Sequence, residues 1–327
     1  MSSRVRMALT VLPVIAGMVW SGGASVAAQG LTPWGDPDLQ GMWTNTTTTP
    51  MERPEDLAGQ ATLTEEERAV RDPEVQAEVS FDRPPTPGNV GGYNEFWVER
   101  GNLIRQTSLI VDPPDGRLPA LTPGAERQRN EFLARWVAPP SSWEDMNLYD
   151  RCITRGLPGA MIPGFYNHNY LILQTPGYVV MQVEMIHDTR IIPLDTSEHP
   201  RSGIPQWLGD SRGYWDGDTL VVETRNFAAK GEQRTNIGRF FLTFSGGEHA
   251  RLVERFTRIG DDRLDYRFTV IDPTVDTRSW TASIPMQKSE DALFEYACHE
   301  GNYALGNILA GARADERAAA VGEQQSR

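Results

Sequence analysis

The sequence gathers four ionisable side chains within seven residues, in the segment Glu-Met-Ile-His-Asp-Thr-Arg that runs from Glu184 to Arg190. His187 lies beside Asp188 and three residues after Glu184, and Arg190 ends the segment. A free imidazole titrates near about pH 6.5, and a nearby carboxylate can fix its tautomer. The segment therefore predicts general acid–base catalysis, with His187 as base or acid and Glu184 or Asp188 orienting it. The alternative is a core histidine that a backbone carbonyl satisfies.

Charged residues elsewhere in the chain complete the predicted catalytic set. Arg190 or Arg212 would stabilise negative charge that develops on the reacting molecule. Glu254, Glu295 or His299 would supply a second acid. Glu254 falls on the apolar face of its predicted strand, where a carboxylate must be paired, neutral or turned into a cavity.

A smaller set of residues is predicted to contact the substrate: Tyr166, Asp210, Trp215 and Glu295. Asp210 and Arg212 flank Ser211 in a passage from loop to strand, and functional residues are frequent in loops. The alternative is that Asp210 and Arg212 only brace the loop. Ser211 has no assigned base, so nucleophilic catalysis by this serine stays open.

No metal and no cofactor are predicted. Cys298-His299-Glu300 looks like a metal-binding group, but its spacing matches none of the usual patterns such as His-x-Glu or Cys-x-x-Cys. A zinc or copper site assembled from distant strands stays open as an alternative. The sequence also lacks the Gly-x-Ser-x-Gly elbow of hydrolases, the Gly-x-Gly-x-x-Gly fingerprint and the P-loop.

The first 28 residues are typical of a secretory signal peptide. Arg4 and Arg6 precede the apolar stretch Met7–Trp20, and Ser25–Ala28 resembles a cleavage site. The apolar stretch is too short to span a membrane, and no later segment is long and apolar enough. We therefore predict a periplasmic or secreted protein that is not inserted in the membrane.

The net charge is −13 at pH 7, which repels nucleic acid backbones and anionic lipid surfaces. The charge favours neutral or cationic ligands. The predicted partner is a small molecule, as ligand or substrate, and the oligomeric state stays open. An oxidising compartment predicts a disulfide between the two cysteines, Cys152 and Cys298. Closing a loop of about 145 residues would contribute at most roughly 5 kcal/mol. The alternative is two separate buried thiols.

Short β-rich runs separated by turn residues predict the scaffold that positions these groups. Turns are expected at Pro176-Gly177 and Asp216-Gly217. If the second run continued unbroken, His187 would face its apolar side. The main runs are Asn169–Thr175, Tyr178–Glu184, Thr189–Leu194, Asp218–Thr224, Leu252–Ile259, Leu264–Ile271, Thr277–Ile284 and Ala292–Cys298.

The predicted fold is mainly β, an antiparallel meander that closes or curves into a lipocalin-like barrel, because open sheet edges invite aggregation. Thr64 and Glu67 predict a capped helix start, and further helices are expected up to about Val137 and over Gly301–Gly311. Residues 29–150 would form an extended and helical segment that packs on the barrel. Residues 151–313 would form the barrel, and 314–327 a frayed tail.

Four long motifs resemble a family of uncharacterised exported bacterial proteins. They are Asp150–Ile153, Glu184–Leu194, Trp207–Gly213 and Glu295–Tyr303. The resemblance extends from about Leu31 to Arg313; it implies export and brings no reaction with it. Separately, Gly41-Met42-Trp43 is similar to the first-strand signature of lipocalin-like (calycin) barrels, where the indole closes one end. That similarity implies a small-molecule cavity, and the alternative is a tryptophan in any β core.

The sequence thus predicts an exported acid–base enzyme of the lyase, hydratase or isomerase type, acting on a small apolar or aromatic molecule in a barrel cavity. Two alternatives are kept. One is a non-catalytic periplasmic binding protein for a small molecule, which an aromatic pocket with His187 and Glu254 both outside it would favour. The other is a metal-dependent hydrolase or oxygenase.

Overall fold

The computed structural model describes residues 30–82, 84, 94–195, 198–199, 204–228, 231–237, 240–247 and 249–325. The predicted signal peptide, residues 1–28, lies outside these ranges. Within them, no helix has the length and apolar character needed to cross a membrane.

Ten antiparallel strands form one large, nearly barrel-shaped sheet, so the predicted mainly β fold is confirmed. The spatial order of nine of them is β5-β4-β3-β1-β12-β11-β10-β7-β6, and β2 pairs with β12; β8 and β9 form a separate hairpin. The strands are β1 (Gly41–Thr44), β2 (Ile110–Asp112), β3 (Asn169–Thr175), β4 (Tyr178–Val183), β5 (Thr189–Pro193), β6 (Asp210–Asp216), β7 (Thr219–Arg225), β8 (Gly231–Ile237), β9 (Phe240–Gly246), β10 (Arg251–Arg258), β11 (Arg263–Ile271) and β12 (Trp280–Lys288).

The barrel has a seam between β5 and β6, the two end strands of the large sheet, which are neighbours without being hydrogen-bonded. Side chains close part of this seam at Gly213. A Cβ atom added there would lie 2.8 Å from Leu194 Cδ2 and 3.0 Å from Ile192 Cγ2. Glycine is therefore what lets the two strands approach, because any larger residue would push them apart.

Large side chains fill the barrel interior. On β11, Tyr266 and Phe268 point inward, as the predicted alternation requires. Tyr266 stacks on Phe256 with ring centroids 4.7 Å apart, and Phe268 meets Trp280 edge-on at 5.6 Å. Apolar burial contributes about 25 cal/mol per Å², so this packing stabilises the barrel strongly. The described interior is a core rather than a wide lumen, which differs from the expected barrel cavity.

Trp43 lies at one end of this core. It is fully buried, and its Nε1 donates to the carbonyl oxygen of Leu39 at 2.9 Å. The guanidinium of Arg258, the last residue of β10, lies 6.0 Å from the ring centre. The indole thus fills the barrel end where β10 and β12 finish.

Residues before position 150 belong to the barrel as well as covering it. They supply β1, which pairs with β3 and β12, and β2, which pairs with β12. The predicted division at residue 150 therefore runs through a single sheet. Three helices complete the described chain: α1 (Glu65–Val79), α2 (Pro123–Val137) and α3 (Ala304–Gln325).

Helix α1 begins as predicted, because Thr64 and Glu67 form a reciprocal capping box. Helix α3 is longer than expected. It starts after Gly301 and continues through the segment that was expected to fray, up to Gln325.

Two predictions about strands are wrong. β4 ends at Val183, and a turn follows in which Ile186 and His187 have positive φ angles of 61° and 47°. The alternation therefore stops, and His187 is exposed instead of facing the apolar side. The stretch Ala292–Cys298 is not a strand. It belongs to an irregular segment, residues 289–303, which we call the C-terminal strap.

Candidate functional site

A cleft of 740 Å³ lies at the seam, beside the start of both β5 and β6. We call it the seam cleft. Three of the predicted site residues line it together: Asp188, Arg190 and Asp210. The motifs Glu184–Leu194 and Trp207–Gly213 contribute most of the remaining wall. Residues from the two end strands of the sheet therefore meet where the barrel is least closed.

Asp188 is the acidic group whose environment is most unusual in the seam cleft. Burial raises the pKa of its carboxyl, and a hydrogen bond donated by Thr154 Oγ1 at 2.7 Å offsets the rise only in part. The backbone N–H of Arg155 and the nearby His187 also favour the charged form. A carboxyl that keeps its proton to higher pH than usual, in a cleft, is suited to proton transfer.

Arg190 enters the barrel interior from β5 and is paired there with Glu254 of β10. Arg190 Nη1 donates to Glu254 Oε1 at 3.0 Å, and Nη2 donates to Glu254 Oε2 at 2.5 Å. The side chains are only 3% and 0% exposed. Tyr266 also donates to Glu254 Oε1 at 3.0 Å, and burial raises the pKa of this tyrosine well above its usual value. Glu254 is therefore a paired carboxylate that holds Arg190 in place.

The other contacts of Arg190 reach across the seam. Its Nη2 donates to Ser211 Oγ on β6 at 3.2 Å and to Thr224 Oγ1 on β7 at 3.4 Å. Its Nε has no hydrogen-bond partner within the described ranges. Ser211 thus positions a guanidinium, and Arg190 keeps one donor unused.

Asp210 belongs to a charged network on the outer face of β6. Its Oδ2 accepts from Arg212 Nε at 3.0 Å and lies 2.8 Å from His199 Nδ1. His199 Nε2 lies 3.6 Å from Glu223 Oε1 on β7. Arg212 therefore holds Asp210 rather than facing the cleft. His199 was not among the predicted site residues, because its local sequence in a loop does not indicate that it contacts β6.

Glu184 and His187 lie outside the seam cleft and hold the C-terminal strap. Glu184 is 2% exposed, and it accepts from Asn169 Nδ2 at 2.9 Å and from the backbone N–H of Phe294 at 3.1 Å. His187 Nδ1 lies 3.1 Å from the carbonyl oxygen of Tyr296. Both contacts are structural in kind, so the predicted catalytic role of these two residues stays a prediction.

The strap closes a second cavity, walled by Tyr149, Tyr166 and Tyr296, which we call the tyrosine cavity. It consists of two pockets with a shared wall: one of 150 Å³, which we call the inner compartment, and one of 690 Å³, which we call the outer compartment. Tyr149, Asp150 and Tyr166 line both compartments. Of the predicted substrate contacts, Tyr166 is the one that lies here.

The predicted disulfide between Cys152 and Cys298 is confirmed, with Cα atoms 5.7 Å apart. It joins the loop that carries Tyr149 to the strap that carries Tyr296. Cys298 lines the outer compartment, so the bridge forms part of the cavity wall.

The remaining predicted site residues line neither cavity. Glu295 and His299 are exposed on the strap. Trp215 packs half-buried against the barrel core, and its Nε1 has no partner among the residues that the structure describes. In that same part of the chain, no three His, Cys, Asp or Glu side chains group as metal ligands would.

The chain matches no protein-family model, and no curated protein is detectably similar to it. Its function therefore has to be inferred from its own geometry.

Proposed function

We propose that the protein is an exported acid–base enzyme of the lyase, hydratase or isomerase type, whose substrate binds in the seam cleft. One observation supports this above all: Asp188, a half-buried carboxyl with a raised pKa, shares a cleft with Arg190 and Asp210. The signal-like start of the sequence and the disulfide support export.

Each of the three residues has a distinct role in the proposal. Asp188 takes a proton from the substrate or returns it. Arg190, fixed by Glu254, lies in the cleft wall, where its guanidinium charge favours oxygen that becomes negative. Asp210, held between Arg212 and His199, supplies a second carboxylate in a different environment. Two carboxyl groups in unlike surroundings are a recurrent basis for dividing acid and base roles.

Apolar side chains in the cleft support a small apolar or aromatic substrate. Trp207, Leu208 and Ile191 line it, and Ile191 is 65% exposed. Exposed apolar groups beside charged ones are typical of binding sites for small molecules. The negative net charge makes nucleic acid a poor partner.

Proton exchange tests the proposal without knowledge of the natural substrate. The protein is incubated in D₂O with small aromatic ketones, led by 2-tetralone, and loss of the α-proton is followed by NMR. We expect wild-type protein to accelerate exchange and Asp188→Asn to slow it by about 10²–10⁴-fold. The rate should rise with pH through the raised pKa of Asp188, because the base must be deprotonated.

Asp218→Asn, in the exposed hairpin turn after β6, is the matched control and should exchange at the wild-type rate. A melting temperature within a few degrees of wild type shows that each variant is folded. If Asp188→Asn exchanges as fast as wild type, or wild type does not exceed background, the seam cleft is not an acid–base site for such compounds.

A non-catalytic binding protein is the second candidate, favoured by the tyrosine cavity. His187 and Glu254 are both outside its lining, which is the arrangement expected for a binding protein. Leu305→Trp, on the cavity face of α3, should abolish binding of naphthalene-based fluorescent probes. Asn307→Trp, exposed on the same helix, should leave it unchanged. Equal binding by both variants would place the probe elsewhere.

A further inference from the structure

Arg155 brings a positive charge to the inner compartment of the tyrosine cavity. It is half-buried, and its Nη1 lies 3.1 Å from His168 Nε2. Its guanidinium carbon lies 5.4 Å from the centre of the Tyr149 ring. Within the described ranges, no Asp or Glu oxygen lies within the 4.0 Å of an ion pair. In the part of the chain that the structure describes, the guanidinium therefore has an imidazole and a ring as its contacts and forms no ion pair.

His168 does not change this balance, because it is neutral. Burial and the charge of Arg155 lower the pKa of its imidazole well below the usual value. Its Nδ1 lies 3.3 Å from the hydroxyl of Tyr170, which itself donates to the carbonyl oxygen of Ala160 at 3.2 Å. In this arrangement Nδ1 carries the hydrogen and Nε2 accepts from Arg155. His168 orients the guanidinium without adding to or cancelling its charge.

The tyrosines supply neutral donors and flat walls. Burial raises the pKa of Tyr166 far above its usual value and that of Tyr296 to about 12, so both hydroxyls keep their protons. The rings of Tyr166 and Tyr296 are 6.4 Å apart at an interplanar angle of 26°. Leu305 and Ile308 of α3 add an apolar side to the outer compartment. Such walls suit an aromatic body.

Carboxylates also face the cavity and set its polarity. Asp150 lines both compartments and accepts from Asn147 Nδ2 at 2.6 Å. Asp145 lines the outer compartment and accepts from the backbone N–H groups of Ser141 and Ser142. Arg155 is the one cationic side chain in the described lining, and it lies at the inner end. An anionic group would therefore have to enter first.

We infer that the tyrosine cavity binds small aromatic molecules that carry a carboxylate, with that carboxylate on Arg155 and the ring against Tyr149 and Tyr166, which line both compartments. The inference rests on the second of the two proposed functions and is independent of the seam cleft. Among the described residues Arg155 has no carboxylate partner, and in this inference the ligand supplies its counter-ion. Charge-assisted hydrogen bonds to a guanidinium are stronger than neutral ones, and two can form side by side.

Three probes of the same shape test the inference: 2-naphthoate, 2-naphthamide and 2-naphthylmethylammonium. Their dissociation constants are measured by fluorescence on the full, oxidised chain. We expect wild type to bind naphthoate about 10- to 100-fold more tightly than naphthamide. Arg155→Gln should bring that ratio close to one and leave naphthamide binding within about twofold.

Arg151→Gln is the matched control. Arg151 lies four residues earlier, its guanidinium stacks over Trp143 at 4.5 Å, and it does not line either compartment. This variant should keep the full preference for naphthoate. Arg155→Lys keeps the charge without the planar fork and should give an intermediate preference, which covers the case that Arg155→Gln does not fold.

The outcomes separate the inference from the proposal on which it depends. Equal binding of naphthoate and naphthamide by wild type, or tightest binding of the ammonium probe, overturns the carboxylate inference and leaves a binding cavity. A preference that survives in Arg155→Gln overturns the role of Arg155. Saturable binding of none of the three overturns both the inference and the binding-protein proposal.

Discussion

Arg190 and Arg155 both carry guanidinium groups that are at least partly shielded from solvent, but the groups that surround them differ. Arg190 faces a carboxylate and hydroxyl groups inside the barrel, whereas Arg155 faces a neutral imidazole and an aromatic ring beside an open cavity. A cation whose charge is balanced by groups inside the protein contributes to the folded structure. A cation left without a counter-ion costs stability unless something from outside supplies one. The difference separates a guanidinium whose charge the fold already balances, and which acts on a ligand only from the cleft wall, from one whose charge is left for a ligand to balance.

The strongest test of this comparison is Glu254→Gln against Arg155→Gln. Removing the carboxylate leaves Arg190 buried and uncompensated, so the free energy of unfolding should fall by about 3–5 kcal/mol. Removing Arg155 uncovers no partner charge and should change it by less than about 1 kcal/mol. Urea denaturation measures both.

The double variant Arg190→Met with Glu254→Leu is the control, because it removes both charges and keeps their volume. It should regain most of the stability that Glu254→Gln loses. Were Glu254→Gln as stable as wild type, the ion pair would not be a structural element of the barrel.

The disulfide tests whether the two regions are independent. Replacing Cys152 and Cys298 by serine opens a link between residues 146 apart in sequence and should cost about 2–5 kcal/mol. The strap then loses a fixed point, so probe binding in the tyrosine cavity should be lost while the near-ultraviolet circular dichroism of the barrel tryptophans persists. Loss of both signals together would mean that strap and barrel fold as one unit.

Asp276 is a buried carboxyl of an intermediate kind: among the described residues it has a hydrogen-bond donor but no cationic partner. Trp280 Nε1 donates to it at 3.1 Å, and burial raises its pKa to about 6. Because the native state keeps this proton after the unfolded state releases it, stability should fall as the pH rises from about 4 to about 6. Asp276→Asn should remove a fall of about 1–2 kcal/mol. An unchanged pH profile in this variant would contradict the assignment.

The smallest effect is expected at the exposed strap. Glu295→Ala and His299→Ala, both predicted from sequence as site residues, should change stability by less than about 0.5 kcal/mol. Because neither residue lines a cavity, both variants should bind the naphthalene probes as wild type does. A clear loss of binding in either one would extend the tyrosine cavity along the strap.

Local sequence patterns predicted the elements better than the site. The period of two along β11, the turn at Asp216-Gly217 and the capping box of Thr64 and Glu67 are each written in neighbouring residues, and all three are confirmed. The pairing of Cys152 with Cys298 followed from the number of cysteines and the predicted compartment.

The site itself depends on contacts that no local pattern contains. The alternation at Ala292–Cys298 predicted a strand. In the structure, the backbone N–H of Phe294 instead donates to the carboxylate of Glu184. Arg155 and His168 were not predicted as site residues. An arginine in a Pro- and Gly-rich loop stands out only in the folded structure, where the absence of a nearby carboxylate among the described residues becomes visible. Asp188, Arg190 and Asp210 were selected, but their meeting at one cleft depends on how the sheet curls.

The seam between β5 and β6 is where the barrel can open locally. β5 and β6 each have one hydrogen-bonded neighbour, and Pro193 has no N–H to offer across the gap. Parting them breaks van der Waals contacts at Gly213 and loosens the hydrogen bonds of Arg190 to Ser211, Thr224 and Glu254, but it leaves every strand ladder intact. Small openings there should therefore be far more frequent than unfolding, and they would admit solutes to the polar side of an otherwise solid core.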